Sequence, residues 1–208
     1  MLKRLLATTI LAAAAIALTI PNTALARGAG NGFFIPSFAA GSGEIEFDDW
    51  EDPEDIDTET FSFGYVLDTT PLGGRVFNYR LNVGLAAQSV DSKDSGDFMD
   101  TSGLYLDNTF GFGLVRNDNI RWWLGPLVRG GFYAGSDEVN GEDVNWFHFE
   151  FGVGLATGLN IRAGNAIISP SLGLRRSGFV GSADFDDSTD DDYSFYTDEF
   201  FVNFAVMF

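Results

Sequence analysis

The sequence predicts an all-β fold: an eight-stranded, antiparallel, up-and-down transmembrane β-barrel that follows a cleaved signal peptide. Three observations lead to this prediction. Apolar residues alternate with small or polar residues over most of the 208-residue chain, short and long connections alternate between these segments, and the long connections are acidic. A barrel in a bilayer has this pattern, because its strands carry apolar side chains outward to lipid and polar side chains inward.

The N-terminus has the pattern of a secretory signal peptide. Two basic residues precede an uncharged apolar run over 5–20, and small residues that fit the cleavage rule follow this run and end at Ala26. We therefore expect 1–26 to be a signal peptide and 27–208 to form the barrel domain. The alternative is a retained membrane-anchor helix, but the run is short for a bilayer core of roughly 30 Å.

The composition is unusual for a soluble protein. The chain has 21 Phe and a formal charge of −18. A high net charge with few apolar residues would indicate disorder, but here the acids are clustered and the apolar residues alternate. The chain has no Cys, which excludes a lipoprotein anchor at the cleavage site, a disulfide framework and thiolate metal sites.

The last strand shows the alternation best. Even-numbered positions from Phe200 to Phe208 are apolar, whereas the odd-numbered positions include Glu199 and Asn203. Successive side chains of a strand point to opposite faces, so these two sets lie on opposite sides. Pro36 makes the first strand the least certain. The predicted strands cover 31–43, 58–68, 75–90, 101–116, 120–134, 144–161, 166–183 and 193–208.

The parity that the strands share predicts which way each side chain faces. The residues expected to point outward to lipid are Leu81, Val83, Phe149, Phe151, Phe204 and Val206. Those expected to point inward are Asn82, Asp107, Gly152 and Asn203. Aromatic residues near strand ends suit interface girdles, and this expectation covers Tyr79, Trp122, Trp146, Tyr193 and Tyr196.

The connections between strands alternate in length and charge. Short turns are predicted at 69–74, 117–119 and 162–165. Long acidic loops are predicted at 44–57, 91–100, 135–143 and 184–192, and most of the 30 acidic residues lie there. A solvated, mutually repulsive surface is the simplest interpretation of these loops. The alternative is weak binding of Ca²⁺ or Mg²⁺, which favour carboxylate oxygens, by Asp49, Asp52, Asp187 and Asp191.

The C-terminus resembles the signature by which bacterial outer-membrane proteins are recognised for assembly. Phe204, Val206 and the terminal Phe208 carry this resemblance. With eight strands, the chain is similar to small barrels of the OmpA, OmpX and OmpW type. The resemblance implies a bacterial outer-membrane location with both termini in the periplasm. It also implies acidic loops outside the cell, and outer-membrane lipid, lipopolysaccharide and the barrel-assembly machinery as partners.

Parity places a set of charged side chains inside the barrel, and a charge in a dry lumen is costly unless it is paired. The set is Arg80, Asp107, Arg121, Arg129, His148, Glu150, Arg175 and Glu199. Folding successive hairpins predicts the pairs Arg80–Asp107, Arg129–Glu150 and Arg175–Glu199. We interpret these as a salt-bridge network that plugs the lumen, because an eight-stranded barrel is only just wide enough for its own side chains. A gate in a small pore, or a proton-linked site, is the alternative.

The position of the single histidine helps to decide whether the protein is an enzyme. Some outer-membrane barrels similar in size act on lipid with a Ser and a His, but parity places His148 in the lumen, beside Glu150 rather than a Ser. We expect His148 to lie nearer the outer mouth than Glu150 and to pair with Arg129, Glu150 or Trp146.

The function predicted from the sequence is therefore a non-enzymatic structural or surface-interaction protein with no cofactor. The alternatives are a narrow channel for small solutes or ions and, less favoured, a lipid-modifying enzyme. Nucleic acid is excluded as a partner, because the acidic surface repels its phosphates.

Overall fold

Eight strands follow one another around a closed barrel, each paired antiparallel with its neighbours in sequence, and the first strand closes on the last. The computed structural model describes residues 30–48, 52–93, 96–139, 142–185 and 191–208. The strands are β1 (Gly30–Phe47), β2 (Glu54–Asp68), β3 (Phe77–Ser92), β4 (Gly96–Arg116), β5 (Ile120–Val139), β6 (Glu142–Ala163), β7 (Ala166–Phe185) and β8 (Asp191–Met207). The predicted strand number and topology are confirmed, whereas the predicted signal peptide lies outside the described residues. Nowhere in the described ranges is a helix long and apolar enough to cross a membrane.

Where the structure describes them, the acidic segments are mostly strand, which corrects the prediction of loops there. β1 extends to Phe47 and β2 begins at Glu54, so most of the predicted loop 44–57 is hairpin. The described residues of the other three segments are also mostly paired strand, at 91–92 and 96–100, at 135–139 and 142–143, and at 184–185 and 191–192, whereas 186–190 lies outside the described residues. The cause is visible in Glu44 to Phe47, where acids alternate with apolar residues: Glu44 and Glu46 are exposed and Ile45 and Phe47 are buried. We call this end of the barrel, where the described acidic segments lie together, the acidic end, and the opposite end the turn end.

β1 is continuous but irregular at Pro36. Its register with both neighbours shifts between Phe34 and Ser37. Proline has no N–H to donate to a ladder and is confined to strand edges and bulges. Because of the shift, the inward positions change from even numbers, as at Phe34, to odd numbers, as at Ser37 and Ala39. Because of this shift, a single alternation does not run through the whole of the first strand, which is the strand that Pro36 interrupts in the sequence.

The facing predictions are confirmed. Phe149 and Phe204 are 55% and 42% exposed, whereas Asn82 and Asn203 are each 7% exposed. The residues predicted outward are exposed or half-buried, and the four predicted inward are buried. Large apolar side chains thus cover the outside of the barrel over a wide band, which we call the apolar band: it comprises Phe61, Val83, Leu104, Leu106, Phe110, Phe112, Leu124, Phe132, Phe149, Phe151, Leu155, Leu172, Leu174, Phe200, Val202 and Phe204.

The interior changes character along the barrel. Near the turn end and in the middle, buried polar and charged side chains lie beside apolar ones such as Phe34, Trp123 and Met207. We call the buried ionisable residues of this part the charged lumen: Asp68, Arg80, Asp107, Arg121, Arg129, Glu150, Arg175 and Glu199. At the acidic end it is filled by an apolar cap, which comprises Ile45, Phe47, Ile56, Val90, Met99, Val144, Trp146, Ala183, Tyr193 and Phe195. The prediction that Trp146 and Tyr193 are girdle residues is therefore wrong. Both lie inside the barrel, where the ring of Trp146 packs edge to face on that of Tyr193, with 5.6 Å between the ring centres. Even-numbered positions face inward in this part of β6, and odd-numbered positions face inward on β8, so the parity of both residues is the inward one.

Candidate functional site

The centre of the charged lumen is built around Arg129. Its Nε donates to Glu150 Oε2 at 2.7 Å, and its Nη1 lies 3.3 Å from Asp107 Oδ1. Tyr133 Oη accepts from Arg129 Nη2 at 2.8 Å and donates to Glu150 Oε2 at 2.8 Å. The guanidinium also lies over the ring of Tyr105, 3.7 Å from its centre. Arg129 is thus held by two carboxylates and two phenol rings, so its charge is compensated although it is buried.

Arg175 continues the network toward β8. Its Nε donates to Glu199 Oε2 at 2.9 Å, its Nη2 also contacts that oxygen, and its Nε lies 3.7 Å from Glu150 Oε1. Ser177 Oγ donates to the same Glu150 oxygen at 2.8 Å. The result is one chain of alternating charge in which five successive strands, β4 to β8, contribute one residue each: Asp107, Arg129, Glu150, Arg175 and Glu199.

Small inward residues make room for these long side chains. A Cβ added to Gly152 would lie 2.6 Å from Ser177 Oγ and 3.0 Å from Arg175 Cδ. A Cβ at Gly131 would lie 3.2 Å from Glu150 Oε2. Glycine at these positions therefore gives the arginines the space in which to meet their acids across a narrow lumen.

Two of the three pairs expected from the hairpin register are present, and the third is not. Arg129 contacts Glu150, and Arg175 contacts Glu199. The predicted pair of Arg80 with Asp107 is absent, because Asp107 lies directly opposite Arg129 in the β4–β5 register and forms its ion pair with Arg129. Arg80 instead lies opposite Thr109.

A second polar cluster fills the turn end. Arg80 Nη1 donates to Ser169 Oγ at 2.7 Å, and Ser169 donates to Asn160 Oδ1 at 2.7 Å. Asp68, which the sequence did not single out, accepts from the side chains of Asn78 and Asn160 and from the backbone N–H of Thr70. The four buried arginines are thereby matched by four buried acids among the described residues.

Arg121 lies in this cluster, inside the barrel as predicted. Its Nη1 donates to the carbonyl of Arg75 at 2.8 Å, and its Nη2 donates to the carbonyl of Val76 at 3.0 Å and to Asn78 Oδ1 at 3.2 Å. It therefore holds the first turn against the barrel wall rather than pairing with a carboxylate.

A cavity of about 20 Å³ lies between the two clusters. Polar atoms on its wall have no protein partner among the described residues: Thr60 Oγ1, Arg80 Nε and Nη2, Asn82 Oδ1 and Asn203 Oδ1. This volume is enough for a water molecule and far below that of an open channel.

His148 is buried on the acidic-end side of Glu150, but its two ring nitrogens lie within hydrogen-bond distance of side chains other than those expected from the sequence. Its Nδ1 lies 3.0 Å from Tyr193 Oη, and its Nε2 lies 3.2 Å from Gln88 Oε1. Its ring stacks on Tyr133 at 5.1 Å. The partners come from β8 and β3, which a hairpin argument cannot bring to β6. Both ring nitrogens are engaged, and the ring closes the charged lumen against the apolar cap.

The residues named for cation binding are only partly covered by the structure. Asp49 and Asp187 lie outside the described residues, Asp52 is exposed and Asp191 is half-buried. Within the described parts of the chain, no group of three or more acidic or histidine side chains is arranged to hold a metal ion.

The C-terminal residues that carry the assembly resemblance lie on the outer face of β8. Phe204 and Phe208 are exposed and Val206 is half-buried. The N–H of Phe208 donates to the carbonyl of Asn31 at 2.8 Å, so the terminal residue is fixed beside β1, where the barrel closes.

Comparisons with known proteins give the fold. No family model matches the sequence, and no curated protein matches it. Among solved structures, the outer membrane protein OprG from Pseudomonas aeruginosa matches with a TM-score of 0.60 at 12% identity, over 87% of this chain and 97% of that one. Neisserial surface protein A matches over 85% of this chain and 99% of its own at 13% identity, with a TM-score of 0.37. The chain thus has the fold of a small outer-membrane barrel.

Proposed function

We propose that this chain is a non-enzymatic bacterial outer-membrane β-barrel protein, with a structural or surface-interaction role and a lumen closed by salt bridges. The observation that carries the proposal is that, over the apolar band, phenylalanine and leucine lie on the outside of the barrel and a charged network lies inside, which is the reverse of a soluble protein. Soluble proteins rarely expose an apolar patch of more than a few hundred Å², whereas a barrel in lipid requires one.

Polar side chains on the outer face support the lipid environment. Tyr79 Oη donates to Asn108 Oδ1 at 2.6 Å, on the outward face of β3 and β4. Trp122 Nε1 donates to Thr157 Oγ1 at 2.9 Å, and Thr157 donates to the carbonyl of Trp123 at 2.7 Å. Water would satisfy such groups on a soluble surface, but hydrocarbon cannot. Their pairing with one another is what a lipid-facing surface needs.

The closed lumen favours a plug over a channel. The charge chain from Asp107 to Glu199 crosses five strands, and the cavity beside it measures about 20 Å³. His148 and the apolar cap fill the barrel above it. Ion flow would require several buried pairs to separate together, and each unpaired buried charge costs several kcal/mol, on the order of 3–5.

The surroundings of His148 also disfavour a lipid-modifying enzyme. A general base must reach the proton that it abstracts, but this imidazole is buried among aromatic rings and engages Tyr193 and Gln88 with its two nitrogens. A lipid at the outer wall is on the other side of the strand.

In this proposal the turn end and both termini face the periplasm, and the acidic end faces outward. The partners are outer-membrane lipid, lipopolysaccharide and the barrel-assembly machinery, which would read Phe204, Val206 and Phe208. Divalent cations that screen the carboxylates would link the acidic end to lipopolysaccharide phosphates.

The test is insertion followed by electrical recording. The protein is refolded into phospholipid vesicles, floated on a density gradient, and then fused with a planar bilayer. We expect it to float with the vesicles and to give no sustained current. Stepwise currents from inserted protein would favour the channel alternative, and protein left in the soluble fraction would contradict the membrane assignment. Mass spectrometry of lipid A incubated with the protein tests the enzyme alternative, and no mass change is expected.

A further inference from the structure

Three exposed arginines ring the turn end, and we call them the basic rim: Arg75, Arg116 and Arg162. Each lies in or beside a different turn. Each also adjoins an exposed apolar residue, since Val76 is 46% exposed, Val115 43% and Ile161 37%. The rim therefore lies at the edge of the apolar outer surface, where a bilayer changes from hydrocarbon to headgroup.

Hydrogen bonds between the turns hold these arginines on one platform. The N–H of Gly73 donates to the carbonyl of Asn117 at 3.0 Å, and that of Arg162 donates to the carbonyl of Asn119 at 2.8 Å. Arg162 Nε donates to the carbonyl of Asp118 at 2.8 Å. The first turn is linked to the second, and the second to the end of β6, so the basic rim is a built surface rather than three independent loops.

The charge of the rim is reinforced from inside and is not neutralised. Buried Arg121 binds the carbonyls of Arg75 and Val76. A Cβ at Gly113 would lie 2.7 Å from Arg116 Cγ and 2.9 Å from Arg121 Nη2, so these two arginines share the space over that glycine. Among the described residues none of the three rim guanidinium groups forms an ion pair, and Asp118 gives Arg162 only its backbone oxygen.

We propose that the basic rim binds the phosphate groups of anionic phospholipids in the leaflet at the turn end. Guanidinium groups match phosphate oxygens in geometry and charge, and basic residues at the membrane surface attract anionic lipids. The opposite edge carries exposed carboxylates such as Asp57, Glu59 and Asp100, so the two edges select different headgroup chemistry. This inference rests on the proposed membrane location and names the lipid that the barrel prefers at one end.

Trp122 provides a local reporter, because it is 44% exposed on the outer face at the turn end. The protein is refolded into phosphatidylcholine vesicles with a fixed fraction of brominated phosphatidylglycerol or, separately, of brominated phosphatidylcholine. Bromine quenches only nearby tryptophans. We expect several-fold stronger quenching by the anionic lipid, and Trp122→Phe should remove the difference.

The decisive variant replaces Arg75, Arg116 and Arg162 by Gln together, and it should quench equally with both lipids. Arg176→Gln is the matched control, because Arg176 is also exposed but pairs with Asp198 at 3.6 Å; it should retain the preference. A triple Arg→Lys variant should retain much of it, and an electrophoretic band shift on heating verifies folding of each variant.

Equal quenching of the unaltered protein by the two lipids would overturn the inference, as would a preference that survives in the triple Gln variant. Binding of inorganic phosphate by the folded protein, together with equal quenching by the two lipids, would overturn it in favour of a free-anion site. Absence of quenching by either lipid would instead contradict membrane insertion itself.

Discussion

Side chains alternate between the two faces of a strand in both parts of the barrel, but apolar residues face outward around the charged lumen and inward at the acidic end. Around the charged lumen, Phe151 faces out and Glu150 faces in on β6, whereas at the acidic end of the same strand Asn145 faces out and Trp146 faces in. Side-chain direction continues without interruption, but apolar and polar residues exchange places. Period two therefore determines the direction of each side chain. Under the proposed membrane location, the surroundings determine which residues suit each zone, because hydrocarbon would lie outside the charged lumen and water outside the apolar cap.

The comparison predicts that the apolar cap is a protruding, water-exposed extension of the barrel. Its inside is an ordinary apolar core, and its outside is acidic. The charged lumen is the reverse, and its polar groups take their partners from one another because neither lipid nor bulk water is at hand.

The largest effect is expected from Glu150→Ala, which leaves Arg129 and Arg175 buried with one acid fewer. The free energy of unfolding in lipid should fall by about 3–5 kcal/mol, measured by denaturant titration of the protein in vesicles. Conductance should stay negligible, because His148 and the apolar cap still fill the barrel. Asp198→Ala is the matched control: it removes an exposed acid from Arg176, and its cost should be about 0–1 kcal/mol. A sustained ion current from folded Glu150→Ala protein would mean that the network is a gate.

The next effect concerns the outer face. Phe151→Arg places a charge in the apolar band and should cost about 2–4 kcal/mol in lipid. Asn145→Arg lies on the same face of the same strand, six positions nearer the acidic end, and should change stability by about 0.5 kcal/mol or less. Unfolding titrations of both variants in vesicles measure the difference. Equal costs would break the contrast between the two zones.

The interior of the acidic end gives the third prediction. Ile56→Ala opens a space in the apolar cap and should lower the free energy of unfolding by about 2–3 kcal/mol, at the lower end of the range for such truncations, because the barrel end can partly close around it. Asp57→Ala, the outward neighbour, should change it by about 0.5 kcal/mol or less, since its contact with Lys93 is long and solvent-exposed. A negligible cost for Ile56→Ala would show that the cap is not packed as a core.

The smallest effect is expected from divalent cations. Crowded carboxylates at the acidic end, including Asp52 and Asp191, should bind Ca²⁺ or Mg²⁺ weakly and without a fixed cage. Isothermal titration should give a small heat at millimolar cation, reduced by added salt because the attraction is screened. The absence of any heat, with no change in hairpin mobility, would remove the cation-bridging part of the proposal.

Much of the fold and part of the site followed from the sequence. Parity along β8 and β6 predicted the outward Phe204 and Phe149 and the inward Glu199 and Glu150. At the acidic end, composition and period two disagree. The acidic composition of Glu44 to Phe47 predicts a loop, whereas its alternation is that of a strand. The position of Trp146 near a strand end predicts a girdle, whereas its parity is inward. In both cases the structure follows the period.

Period two along β2 to β8, together with the alternation of connections, determined strand number, side-chain direction and the inward location of the charged residues, because side-chain direction follows from the local geometry of an extended backbone. Partner choice inside the barrel was decided by closure and stagger of the strands. Arg80 on β3 reaches Ser169 on β7, and His148 on β6 reaches Gln88 on β3. No hairpin contains these pairs. In a lumen this narrow, side chains from strands far apart in sequence meet at the axis, and only the tertiary structure sets which of them lie at the same height.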